Sequence, residues 1–142
     1  MSESVRPLPV PDAESEPYWK AAASHVLALP RCSNCGMFSM PPGMVCPHCR
    51  TTSPEFTFGP VSGRGVVRSW TVVRQSFLPG FDSDVPFVLV DVELAEQREL
   101  RLIGRLLDGA LAPLHLGARV TVAFEDLGSD VAIPAFVLEA AS

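Results

Sequence analysis

Cys32-Ser33-Asn34-Cys35-Gly36 and, ten residues further on, Cys46-Pro47-His48-Cys49-Arg50 decide how this chain is read. They contain the only four cysteines among its 142 residues. A CxxC turn presents two thiolates toward one point, and two such turns facing each other make a closed tetrahedral shell for Zn2+. Gly36 suits a knuckle that turns the chain back with its backbone N–H groups aimed at sulfur. So short a segment has almost no core, so metal binding would supply its folding energy. The expected metal ligands are therefore Cys32, Cys35, Cys46 and Cys49.

Structural zinc is the expected occupant, although iron uses the same four donors. Two disulfides would need an oxidising compartment, and no secretory signal precedes the cysteines. A redox CxxC would need a surrounding βαβ pattern, which is absent. His48 sits inside the second pair, but four thiolates already fill the shell and leave it a bystander.

Toward the N-terminus, residues 1–14 carry Pro7, Pro9 and Pro11 without periodicity, and are expected to form a flexible arm. A helix is expected over 15–30. Ser15 is its N-cap, Pro17 lies in its first turn, and no breaker follows before Pro30. Trp19, Ala22, Ala23, Val26 and Leu29 recur at helical spacing. That face either packs on its own module or lets Tyr18 and Trp19 anchor in another subunit, because aromatics dominate such anchors. His25 reads as a surface or packed histidine rather than a ligand. Residues 31–54 form the ribbon, with a short strand at Met37-Phe38-Ser39-Met40 and a turn at Pro41-Pro42-Gly43.

From residue 55 to 140 the pattern is β. Strands are expected at Val66–Phe77, Phe87–Leu94, Leu100–Leu107, Arg119–Glu125 and Val131–Leu138, and Pro134 confines the last to a sheet edge or a bulge. A first, longest strand opened by Gly63-Arg64-Gly65, and a break before Gly117, are the layout of a five-stranded OB-fold barrel. A sandwich gives similar strand counts. The fold class is thus mainly β: an N-terminal helix, a zinc ribbon, then the barrel.

Composition narrows the function. Apolar residues make up 47% of the chain and charged residues only 19%, which favours an apolar face covered by a partner. With a net charge of −5, nothing steers the molecule toward polyanions. No apolar run approaches the roughly 18 residues of a bilayer span, so a soluble, cytoplasmic protein is expected.

The order of parts closely resembles the DUF35 proteins, which join a rubredoxin-like zinc ribbon to an OB-fold. The match runs over roughly residues 16–138. It is carried by an aromatic pair before Arg31-Cys32-Ser33-Asn34-Cys35-Gly36, then Pro41-Pro42 and Cys46-Pro47-His48-Cys49. Ser62-Gly63-Arg64-Gly65-Val66-Val67, Ser69-Trp70-Thr71-Val72-Val73, Pro86-Phe87-Val88, Val92-Glu93-Leu94 and Leu116-Gly117-Ala118-Arg119-Val120 complete it. The resemblance implies an accessory subunit of a thiolase-fold enzyme acting on acyl-CoA thioesters. Such partners include thiolases, acyltransferases and the aldolases that shorten steroid side chains.

Thiolase chemistry needs a cysteine nucleophile, and all four cysteines are assigned to metal, so this chain is not expected to be the enzyme. A closed four-thiolate ion also leaves no position for a reacting water. No Gly-x-Ser-x-Gly elbow, phosphate loop or dinucleotide fingerprint occurs, and the three histidines show no convergent spacing. Asp82 and Asp84 read as solvated loop carboxylates. Arg64, Arg68 and Arg74 lie on or near the first barrel strand and are candidates to neutralise CoA phosphates, against the plainer reading of solvated strand charges. The alternatives are a single-stranded nucleic-acid-binding ribbon–OB protein, for which Trp70, Phe77 and Phe87 would stack bases, and a free-standing acyl-CoA-binding protein.

Overall fold

The computed structural model describes residues 6–139; the first five residues of the N-terminal arm and Ala140 at the end of the β region lie outside them. One helix, α1 (Glu16–Ala23), precedes seven strands: β1 (Ala28–Cys32), β2 (Phe56–Pro60), β3 (Arg64–Val73), β4 (Phe87–Leu94), β5 (Arg101–Leu106), β6 (Arg119–Asp126) and β7 (Ala132–Leu138). The first two strands pair antiparallel as a separate small sheet. The last five close a barrel in the order β3-β4-β5-β7-β6, the OB-fold the sequence predicts.

Alternation explains the barrel. Along β4, Val88, Val90, Val92 and Leu94 are buried while the residues between them are not. They meet Val67, Leu102, Leu106, Val120 and Phe136 in one core, which continues without a break to Tyr18, Leu27 and Leu29 on the ribbon side. Two glycines at the start of β3 are required by close approach. A Cβ on Gly63, whose φ is 79°, would overlap the Val122 side chain, and one on Gly65 would overlap the Glu93 carbonyl. Pro134 stands opposite Phe124 of β6, while the parallel pairing of β7 with β5 begins only at Ala135. A residue without an N–H is thereby placed where only one neighbour needs it.

The helix is shorter than the expected 15–30. It stops at Ala23, and His25 takes a left-handed φ of 60°. Two interactions hold that turn. The His25 ring stacks on Phe124 at 5.1 Å and bonds Asp126 at 2.7 Å. Downstream, Ala28–Cys32 gains more by pairing with β2 and burying Leu29 than by continuing the helix. Ser15 stands at the N-cap, but its side chain caps nothing; its Oγ donates to Asp12 Oδ1 at 2.7 Å instead. The expected strand at 37–40 is only a single bridge between Arg31 and Phe38. Residues 56–60, expected at the head of the barrel region, pair with β1 and not with the barrel.

Asp84 is no solvated loop carboxylate. It pairs with Arg6 of the N-terminal stretch and, at 3.3 Å, with Arg105 of β5. Arg6 also lies over the Phe81 ring at 4.8 Å, so Arg6 is tied to the β3–β4 loop.

Candidate metal centre

The two knuckles repeat one backbone design. In the first, Gly36 N–H donates to the Cys32 carbonyl at 2.8 Å and Cys32 N–H to the Met37 carbonyl at 2.9 Å. In the second, Arg50 N–H donates to the Cys46 carbonyl at 2.8 Å and Cys46 N–H to the Thr51 carbonyl at 3.2 Å. The residue after each pair is left-handed, Gly36 at φ 78° and Arg50 at φ 63°. Glycine adopts that conformation without cost; Arg50 does so against its Cβ.

This repetition brings all four sulfurs within 4.8 Å of one another, with Cys32 to Cys49 at 3.9 Å and Cys35 to Cys46 at 3.7 Å. Metal–sulfur bonds of about 2.3 Å in a tetrahedron require sulfurs about 3.8 Å apart. The donor set therefore fits a four-coordinate ion.

Charge makes the same case. Cys49 is held down to about 6, first by the Asn34 side-chain amide, which donates to its sulfur at 3.3 Å, and then by the Thr51 N–H. The Cys49 and His48 N–H groups lower Cys46. At Cys35 the Met37 N–H favours the thiolate, yet desolvation and the three neighbouring sulfurs outweigh it and push the thiol up to about 11. Four thiolates this close repel one another unless a cation sits among them. Asn34 is a supporting residue not singled out from the sequence; its place inside a CxxC turn was the available signal.

His48 does not join the sulfurs. Its Nε2 donates to the Phe38 carbonyl at 3.1 Å. The same carbonyl accepts from Gln97 Nε2 at 2.8 Å, and Gln97 Oε1 accepts from the Phe38 N–H at 2.8 Å. Gln97 lies in the β4–β5 turn, so its amide occupies the slot of a neighbouring strand and fixes the ribbon on the barrel. Nothing in the local sequence marks it.

The other candidates divide. Tyr18 is buried in the protein's own core at 8% exposure, and burial pushes its hydroxyl up to about 12. Trp19 packs edge-on against it at 4.9 Å and is partly buried against the same core. Arg64, Arg68 and Arg74 differ in their surroundings. Arg64 borders an open depression of ≈ 510 Å3 with Arg98 and Arg119, which sequence reading missed, and with Glu93 and Glu139. Arg68 is engaged by Glu93 at 3.1 Å and Glu99 at 3.7 Å. Arg74 is exposed beyond the end of β3. No helix of the described residues is long and apolar enough to cross a membrane.

Comparison with known proteins agrees with this architecture. Residues 19–55 match the family described as the ChsH2 rubredoxin-like zinc ribbon domain, and residues 59–125 the ChsH2 C-terminal OB-fold domain. A Thermomonospora curvata protein described as a probable enoyl-CoA hydratase alpha subunit is 28% identical over 134 residues; these cover 94% of this chain but 40% of the relative's length. A chain of the structure described as the Ltp2-ChsH2(DUF35) aldolase superposes with a TM-score of 0.77 at 27% identity, over 92% of this chain and 98% of that one. A DUF35 protein of unknown function from Sulfolobus solfataricus shares the fold, with a TM-score of 0.58 at 14% identity over 89% and 86% of the two chains.

Proposed function

Because this chain belongs to the DUF35 family, with a ChsH2-type zinc ribbon followed by a ChsH2-type OB-fold, we propose that it is a non-catalytic accessory subunit. It binds a thiolase-fold enzyme in the cytoplasm and helps form that enzyme's acyl-CoA site. The observation that carries this reading is the use of the thiols. Every cysteine of the chain lies in one closed four-sulfur cluster, which leaves no thiol for acyl transfer. The likeness to a chain of the Ltp2-ChsH2(DUF35) aldolase supplies the kind of assembly.

Zinc is the ion proposed, held by Cys32, Cys35, Cys46 and Cys49. Bound there it would cross-link the two knuckles and offer no open coordination position. Arg64, together with Arg98 and Arg119 around the same depression, is the proposed point of contact for CoA phosphates, since guanidinium forks match phosphate oxygens. Arg68 is less suited because two glutamates face it, where Arg64, among the described residues, faces only Glu139, at 3.6 Å.

Co-purification with the thiolase-fold subunit of the same source tests the reading. A stable hetero-complex whose acyl-CoA turnover falls when this chain is left out is the expected result. Recovery of both proteins apart, each soluble, would reject it, as would turnover of acyl-CoA by this chain alone.

A further inference from the structure

Strand β3 uses its two edges unequally. Along β4 its pairing reaches Val73. Along β6 it stops at Val66, and the last backbone bonds across that edge are Val67 N–H to the Ala118 carbonyl at 2.9 Å and Gly117 N–H to the Val67 carbonyl at 2.8 Å. Beyond Val67 that edge has no backbone partner among the described residues. Strand residues turn their N–H and C=O groups alternately to the two edges, so 69–73 presents a short row of unpaired donors and acceptors. The register shift between Val67 and Ser69 marks where the strand leaves the closed barrel. Four successive residues, Arg68 to Thr71, are exposed there, where a strand covered on one face would alternate.

Free edges are normally guarded by proline, by charges or by brevity. This one reads Trp70-Thr71-Val72-Val73, all strong strand formers. The bulge charge, Arg68, is occupied by Glu93 and Glu99. Trp70 is 40% exposed, and the following loop adds Phe77 at 92% and Leu78 at 58%. Just past the strand stands Arg74, which among the described residues has no carboxylate within ion-pair distance.

We infer that Ser69–Val73 is the attachment edge for the partner subunit, which adds an extended segment of its own chain as a further strand. That segment carries an apolar side chain against Trp70 and a carboxylate within reach of Arg74. Each part of the surface selects one part of the ligand. Unpaired amides and carbonyls select extended peptide backbone, the indole selects an apolar side chain, and the unneutralised guanidinium selects an acid. The inference rests on the accessory-subunit reading and adds to it where and by what chemistry the partner is held.

Hydrogen exchange of the full chain, alone and with its thiolase-fold subunit, tests this. Those amides of 69–73 that point away from β4 are expected to slow at least tenfold in the complex, while those of β5 do not change. Trp70→Glu and Arg74→Glu, both at exposed positions, are each expected to weaken the complex at least tenfold without moving the melting temperature of the free chain. A complex that forms with 69–73 unprotected and both variants at full affinity would overturn the edge while leaving the accessory role intact. Failure of the wild-type chain to form any complex would overturn both. Concentration-dependent protection of 69–73 in the chain alone would assign the edge to a second copy and equally overturn it.

Discussion

The ribbon and the barrel are folded by different means. Between residues 31 and 54 only Cys32, Ser39 and Cys46 are buried, and two of those three belong to the candidate metal cluster. The barrel buries whole side chains of Val67, Val88, Val90, Val92, Leu94, Leu106, Val120 and Phe136. One region replaces a core with four sulfurs around a point; the other spreads its stabilisation over many contacts that no single residue owns. The lesson is that the same chain contains a part that chemistry can switch off and a part that it cannot.

The largest effect should therefore come from the sulfurs. Cys46→Ser, at the most buried ligand, is expected to abolish stoichiometric metal binding, read by elemental analysis. Hydrogen exchange across 31–54 should rise to that of an unfolded segment, while the barrel strands keep their protection. If the barrel melts together with the ribbon, the two regions are not separable in this way. A strong chelator added to the wild-type chain should reproduce the pattern.

Phe136→Ala is the converse test. This fully buried ring fills the barrel where β5, β6 and β7 meet. Its loss should cost about 3–5 kcal/mol. Denaturant melts should show that loss while metal content stays at one ion per chain, because the knuckles close through their own backbone bonds. Loss of metal in this variant would mean that the ribbon needs the barrel's core after all.

This contrast also governs what was legible in the sequence. A CxxC turn is a local device, so two such pairs were enough to name the four sulfurs that come within 4.8 Å of one another. Alternation along β4 and the glycines before β3 fixed the barrel nearly as well, since a period of two and a close backbone approach leave few other folds. What failed to show were features set by distant partners. The helix pattern through Val26 and Leu29 is real, but pairing with β2 and the His25 contacts with Phe124 and Asp126 outweigh it. The two readings of Tyr18, packed on its own module or anchored in another subunit, stayed open because aromaticity does not say which way a side chain faces. Gln97 could not be found, because a glutamine in a turn carries no sign that its amide will pair with the backbone of Phe38, 59 residues away along the chain.

Gln97 offers the next sharpening of the contrast, at the seam between the regions. Gln97→Leu keeps the bulk and leaves the Phe38 N–H without a partner and its carbonyl with His48 alone. The expected cost is about 1 kcal/mol, the net value of such bonds at a partly exposed site. The signature matters more than the size: faster exchange at 37–40 with metal retained. Unchanged exchange there would mean that the shared apolar core, not the amide, holds the ribbon in place.

The smallest expected effect lies in the acid range. Arg6, by its hydrogen bond, and then Arg105 hold the Asp84 carboxyl below its ordinary 3.8. Glu93 is held below its ordinary 4.5, first by the Glu99 N–H and then by Arg68. Carboxyls depressed in the folded state bind protons more readily once unfolded, so their stabilisation is complete above those ordinary values. It is lost as pH falls through the lower folded ones. Stability should accordingly be level from pH 7 to about 5 on this account and decline below about 4. Metal release contributes to the same decline, since protons compete for the thiolates. Arg6→Ala separates the two. Metal release is common to variant and wild type, so the difference between their melts isolates the carboxylates that Arg6 pairs with, Asp84 and, at 3.7 Å, Glu125. That difference should shrink from pH 6 to pH 3, and a constant difference would show that Arg6 acts only through its contact with Phe81.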